Sequence, residues 1–439
     1  MANLDSYTAE FEKARGRRAG EPARITRTRD EAMTRFLAMG FPTTRHEDWR
    51  FTSVAPIANT TFALADATGS PERPVADPFH LPDVFGAELV FVDGRYAPAL
   101  STVGGLPPTA QVGSLSAYAA GHAGAIEAHF AQVAPFDRQP FVALNTAFCV
   151  DGAYVSIPDR VVIEKPIHVL FLSSSDTGGR RSFSCPRVLA VLGERSQASI
   201  VESYAGPSGA AYFTNVVTEI VMGEGAVLDH YKLQHESTQA FHIGAIYVKA
   251  ARGANCSSHS ISLGGALVRN EVVAVLGGEG GECTLNGLYV ADGQRLVDNH
   301  TTIDHAMPHC DSREIYKGIL ADRARGVFNG KIIVRADAQK TDAKQTNRAL
   351  LLSEDAQVNS KPELEIFAND VKCTHGAAVG QLDDDAVFYL RSRGIGLAEA
   401  RHLLIHAFAG DVLNRMRLAP VRAGVAAVLQ QQLARALAA

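Results

Sequence analysis

The chain has 439 residues, more than one hydrophobic core normally serves unless the fold is elongated and each piece touches only its neighbours. Lys and Arg total 42 against 47 Asp and Glu, and no Lys/Arg run marks a footprint for nucleic acid or anionic lipid. The six cysteines stand singly with no Cys-x-x-Cys pair, which argues against a disulfide framework and a zinc ribbon.

The start, MANLDSYTAEFEKARG, is amphipathic with early acidic residues, unlike a secretion signal or a typical transit peptide. No apolar run is long enough to span a bilayer, so a cytoplasmic protein is expected. From Leu4 to about Phe51 apolar residues recur at three- and four-residue intervals, which predicts helices, with Gly40 as a C-terminal stop. Between Thr52 and Pro108 the chain turns Pro-rich, as in GSPERPVADPFHLPDVF, with one hairpin candidate, ELVFVDGRY, turning at Asp-Gly. A third helix is expected through LSAYAAGHAGAIEAHFAQV.

From residue 139 to 388 the texture changes to short alternating runs such as HVLFLS, RVLAVLG, ASIVESY, AIYVKA and KIIVRA. Ala198, Ala226, Cys256 and Cys283 open such runs at spacings of about 27 to 30 residues, and Ala356 opens a further one. That spacing suits one coil of a β-helix. No hexapeptide regularity is present, which leaves a right-handed or irregular parallel β-helix. After residue 389 the helical pattern returns, with an expected apolar stripe of Leu397, Ala400, Leu403, Leu404, Ala407, Phe408 and Leu413 and a last helix starting at Pro420. The expected organisation is therefore a helical and irregular region over 1–138, a β-helix core over 139–388 and a helical region over 389–439. An open β-helix end exposes unpaired strand edges, so the C-terminal helices are expected to cap one end.

The residues that could carry chemistry are few. In DVKCTHGAAVG, alternation puts Cys373 and His375 on one face of a strand, two soft ligands that could equally be packed interior residues. In DNHTTIDHAMPHCD, His300, Thr302 and Asp304 face one way and Thr301, Ile303 and His305 the other, which weakens a metal site; His309 and Cys310 fall in a turn after Pro308. Cys256 and Cys283, at equivalent repeat positions, read as interior packing, as do Cys149 and Cys185. Asp383, Asp384 and Asp385 lack the rhythm of a calcium loop and suit a helix N-terminus. No Walker A, G-x-S-x-G or H-E-x-x-H motif occurs, so a catalytic role for the chain alone is not expected.

The stretch AQKTDAKQTNRALLLSEDAQVNSKPELEIFANDVKCTHGAAVGQLDDDAVFYLRSRGI, with HTTIDHAMPHCDSREIYKGIL and GVFNGKIIV upstream, closely resembles the SufB/SufD family, scaffold subunits of iron-sulfur cluster assembly. The match runs over about residues 140 to 415. PTTRHEDWRFTSV and the chain length resemble the SufD branch. The SufB branch usually carries Glu-His-Glu where this chain has Thr374, His375 and Gly376, and a cysteine where it has LEIFAN. The resemblance implies a right-handed parallel β-helix between helical ends, a complex with SufB and the ATPase SufC, and a non-catalytic scaffold role. It further implies no stably bound cofactor but transient iron or a nascent cluster shared with SufB at the subunit interface. The residue that carries over as a ligand is His375, with Cys373 beside it and ranked lower. Arg391, Arg393, Glu399 and Arg401 are the expected SufC contacts, and pairing of the isolated chain with itself stays open. The competing reading, a β-helix carbohydrate-active enzyme, would need paired carboxylates and aromatic sugar platforms along one face; the single Trp49 lies in the N-terminal region.

Overall fold

A computed structural model of the protein describes residues 4–16, 21–65, 79–81, 83–174 and 181–438; most of the Pro-rich stretch 69–85 lies outside the described residues. The protein is mainly β. From Arg187 onward strands alternate between two sheets, and each pairs in parallel with the next strand but one in the chain, so the backbone winds as a solenoid. Sheet one contains Gly152–Ile157, Arg187–Leu192, Phe213–Met222, Phe241–Ala250, Leu267–Leu276, Leu296–His305, Arg325–Val334 and Gln357–Ile366. Sheet two contains Ala87–Val92, Ile167–Leu172, Gln197–Ala205, Val227–His235, Asn255–Ser262, Glu282–Ala291, Asp311–Leu320, Asp342–Leu351 and Lys372–Gly380. This is the parallel β-helix that the repeat spacing and the resemblance both predict.

The strand registers correct the repeat at two positions. Ala198, Leu228, Cys256, Cys283, Ser312, Ala343 and Cys373 are register partners. Ala226 lies in the turn two residues before Leu228, and Ala356 precedes a strand of the other sheet. Both cysteines of the middle coils are buried in the interior with Ile200, Leu228, Leu285, Val248, Val272 and Ile303. Burial pushes the Cys256 thiol up to about 12 and the Cys283 thiol well above its ordinary range, so neither is a thiolate at neutral pH.

Both outer faces are covered from the side. Helices Leu4–Arg15 and Ala23–Met39 and the turn at Glu47–Trp49 lay Tyr7, Phe11, Phe36 and Trp49 against Phe183, Phe213, Phe241, Leu267 and Leu296 of sheet one. Gly40 ends the second helix as expected, at φ +64°, a conformation costly for a side chain, and its N–H donates to the Phe36 carbonyl. Trp49 lies under the Arg269 guanidinium, 3.9 Å from its ring centre, and Arg269 pairs with Asp298. The hairpin forms at Asp93-Gly94, joining Val92 to Arg95, but its first strand also opens sheet two. The expected third helix breaks at His122 into Leu115–Gly121 and Ala123–Glu127.

Pro140–Phe148, read as the start of the β core, is instead a helix buried from Phe141 to Phe148. It is tied to sheet one through Arg187. That guanidinium donates to Glu219 Oε1 through Nε (2.9 Å) and Nη2 (2.7 Å) and through Nη1 to Asn145 Oδ1 (2.9 Å) and Thr146 Oγ1 (3.0 Å). Glu219 also accepts from the backbone N–H groups of Ala131, Val133 and Ala134.

The C-terminal helices do not cap an end. Leu397–Leu413 and Ala419–Ala438 pack along the outer face of sheet two, on Tyr231, Leu233, Ile261, Leu288, Val290 and Ile319. That face presents an apolar row from successive coils, and covering it removes far more apolar surface from water than sealing two strand edges would. The buried side of Leu397–Leu413 is Ala400, Ile405, Ala409, Val412 and Leu413; Leu403, which the expected stripe assigns to packing, is 46% exposed, and Ala407 is exposed too. Lys317–Asp411 (2.9 Å) and Arg417–Asp229 (3.1 Å) pin these helices to the sheet.

Candidate site at the open end of the solenoid

Within the described residues, Gln357–Ile366 pairs only with Arg325–Val334, and Lys372–Gly380 only with Asp342–Leu351. The last coil therefore carries two strands whose far edges meet no further strand. Alternation puts Cys373, His375 and Ala377 on the face that continues the interior columns of the coils below, Cys373 over Ala343 and His375 over Gln345. The two predicted ligands do share a face. Their environments differ. Cys373 is half-buried among Ile332, Val334, Ala338, Ala343 and Ala368, and its thiol is raised, by desolvation first and by nearby Asp342 second. His375 is exposed at the end of its column. An imidazole reachable from outside is ready to donate to a soft or borderline metal ion, whereas the thiol first has to lose a proton that its surroundings retain.

Around these residues the last coil is rimmed by Ile366, Phe367 and Val379, with Phe367 64% exposed. Just beyond, Asp383 caps the helix Asp384–Ser392, its carboxylate accepting from the N–H groups of Asp385 and Ala386, which fulfils the helix-start reading of the acidic triplet. This helix leaves Phe388 73% exposed and Tyr389 58% exposed. Sequence reading missed both, because aromatics at helical spacing look like core. Arg391, Arg393, Glu399 and Arg401 are all exposed on this helix, its C-terminal turn and the start of the next; Arg393 stacks on Tyr389, 5.1 Å from the ring centre.

The other candidates fall apart as ligand sets. His305 is buried, bonded to Ser312 Oγ (2.9 Å) and pushed down to about 4 by desolvation. His300 lies on the opposite face of the strand against Asp298 (3.0 Å). His309 occupies a left-handed turn position and Cys310 is buried. Among the described residues no three His, Cys, Asp or Glu side chains converge on a metal position. The open end thus brings one exposed imidazole and one half-buried thiol to the same face of a strand whose far edge meets no further described strand.

Residues 172–408 match the family described as "SUF system FeS cluster assembly, SufBD core domain", and residues 1–169 match the SufBD protein N-terminal region. The iron-sulfur cluster assembly protein SufD of Escherichia coli is 32% identical over 401 residues, covering 91% of each chain. The SufBD family protein slr0076 of Synechocystis is 35% identical over 393 residues, 88% of this chain and 86% of that one. The chloroplastic protein ABCI7 of Arabidopsis thaliana is 30% identical over 397 residues, 89% of this chain and 82% of its own. With both family regions matched end to end and the solenoid they bracket observed, the chain belongs to the SufBD family of iron-sulfur cluster assembly proteins and is a homologue of SufD.

Proposed function

We propose that this chain is a non-catalytic cytoplasmic scaffold subunit that pairs with SufB through its open solenoid end and docks the ATPase SufC on its C-terminal helical region. The observation that carries the reading is the last coil: two strands whose far edges meet no further described strand, an exposed His375 on the interior column, and an apolar rim. A second parallel solenoid completes such an end by strand pairing, because the unpaired N–H and C=O groups of one edge match those of another. Iron or a nascent cluster is cargo at this junction. His375 is its first ligand, with Cys373 as a subordinate one whose proton is released only when a metal ion replaces it. Two ligands from one chain leave the rest of the sphere to the partner, so a cluster can be built and given up.

The exposed Arg391, Arg393, Glu399 and Arg401, beside Phe388 and Tyr389, form a mixed apolar and charged surface of the kind that docks a protein subunit; this supports SufC contact there. The test is cluster yield in purified three-subunit complexes of equal stoichiometry, reconstituted anaerobically. His375→Ala should keep complex formation and lose most of the yield, and Cys373→Ser should lose less. Normal yield from His375→Ala overturns the ligand assignment.

A further inference from the structure

Beneath His375 the interior is not apolar. His375, Gln345 and Glu314 are register partners in three successive coils, and across the lumen Pro362, Gly330 and Thr301 form the facing column. Glu314, Gln345 and Thr301 are each at most 3% exposed. Gln345 Nε2 donates to Glu314 Oε2 at 2.8 Å and the Thr301 hydroxyl faces the same carboxylate, while Gln345 Oε1 and the neighbouring Asn347 Oδ1 are buried with no hydrogen-bond partner. Gly330 makes room for the Gln345 amide: a Cβ there would lie 2.2 Å from Gln345 Nε2 and 2.7 Å from the Phe328 ring.

Glu314 also differs from four of the other buried carboxylates. Glu219 has Arg187, Asp298 has Arg269, Glu202 has His230 and Glu236 has His242. Against Glu314 stand only the Gln345 amide and the Thr301 hydroxyl. With Glu314 ionised, oxygens that accept outnumber groups that donate, an imbalance that a positive centre, or a proton on the carboxyl, would relieve.

We propose that Glu314, Gln345 and Thr301 form an interior binding site for one small hard cation, lying two coils beneath the open end of the solenoid. The donor set is a carboxylate, an amide carbonyl and a hydroxyl, all oxygen, which selects a hard divalent ion that keeps part of its water and disfavours soft thiophilic metals. It is distinct from the exposed imidazole: Glu314 lies roughly 10 Å further in along the column, two strand spacings of about 4.8 Å. The open end is the route, past the single amide of Gln345. Burial raises the Glu314 carboxyl to about 7, so a proton and the cation compete for it near neutrality.

The test uses the full-length chain alone, so that it stands or falls separately from any partner or cluster. Mn²⁺ is the probe, and loss of the free-ion electron paramagnetic resonance signal reads binding. One Mn²⁺ should bind per chain, with an affinity roughly tenfold higher at pH 8 than at pH 6, as ionisation of a carboxyl near 7 dictates. Glu314→Gln should abolish binding, Thr301→Val should weaken it, and His375→Ala should leave it intact. Absence of Mn²⁺ binding at millimolar concentration, binding retained in Glu314→Gln, or binding lost in His375→Ala each overturns the proposal. Glu314→Gln keeps the shape and removes the charge, and its melting curve checks the fold; if that variant misfolds, Thr301→Val on a folded chain decides by the same readout, with unchanged affinity overturning the site.

Discussion

Arg187 offers the sharpest energetic test of how the N-terminal region is held to the solenoid. Its side chain and that of Glu219 are fully buried, and the guanidinium spends its donors on Glu219, Asn145 and Thr146. Removing one partner from such a pair leaves an uncompensated buried charge and costs about 3 to 5 kcal/mol. Arg187→Met leaves Glu219 with three backbone N–H donors, from Ala131, Val133 and Ala134, which places the cost near the lower figure, about 3 kcal/mol. Glu219→Gln strands a guanidinium among neutral oxygens, eased only by the Phe130 ring 4.6 Å away, and strips those N–H groups of an ionised acceptor. Its cost is about 4 kcal/mol. In Arg187→Met/Glu219→Gln no charge remains, so the double variant should be less destabilised than the sum by about 2 kcal/mol. Urea unfolding of the four proteins measures the cycle, and hydrogen exchange at Pro140–Phe148 shows whether the loss is local to the helix that Arg187 anchors. Additive single effects, or singles within about 0.5 kcal/mol of wild type, would refute the reasoning.

The remaining predictions concern the interior and the docking surface. Cys256 and Cys283 should resist a thiol reagent at pH 8 in the native chain while Cys373 reacts, and Cys283→Ala should cost about 1 kcal/mol; prompt labelling of all six sites would contradict the packing. Glu314 binds its proton more tightly folded, at about 7, than at its ordinary 4.5, so the folded state holds more protons and stability falls as pH rises through this window. With a chelator present the loss from pH 4 to pH 8 is about 3 kcal/mol, and Glu314→Gln should flatten it; an unchanged pH slope in the variant sinks the assignment. Charge reversal at Glu399 and Arg401 together should reduce co-purification of the SufC ATPase, and undiminished recovery would move the docking surface elsewhere.

How much was legible in the sequence follows from period. The β runs and the Cys256 to Cys283 repeat were readable because each coil returns the same interior positions after a nearly constant number of residues. Ala226 misled because small residues also occupy the tight turns before strands. Leu397–Leu413 is apolar on almost every side, so two stripes fit it, and only the sheet beneath chose Ile405 and Ala409 over Leu403 and Ala407. Cys373 and His375 were placed correctly by alternation alone, while the contrast between them, half-buried against exposed, depends on where the stack of coils stops. Glu314 and Gln345 carried no local signal. Their meaning comes from Gly330 and Thr301 across the lumen, and alternation along one strand says nothing about the strand opposite.

The bare last coil also has a consequence for supply. Under the proposed pairing, a solenoid whose last coil ends, among the described residues, in two strand edges that meet no further strand would not stay a quiet monomer, because any chain that offers a matching edge, a second copy of itself included, would compete for it. Self-pairing grows with the square of the free concentration, whereas capture by a different partner grows only in proportion to it. On that reading, production in excess of the partner would drain the surplus into like-with-like dimers, and the fraction assembling correctly would be set by the ratio in which the two chains are made as much as by how tightly they bind.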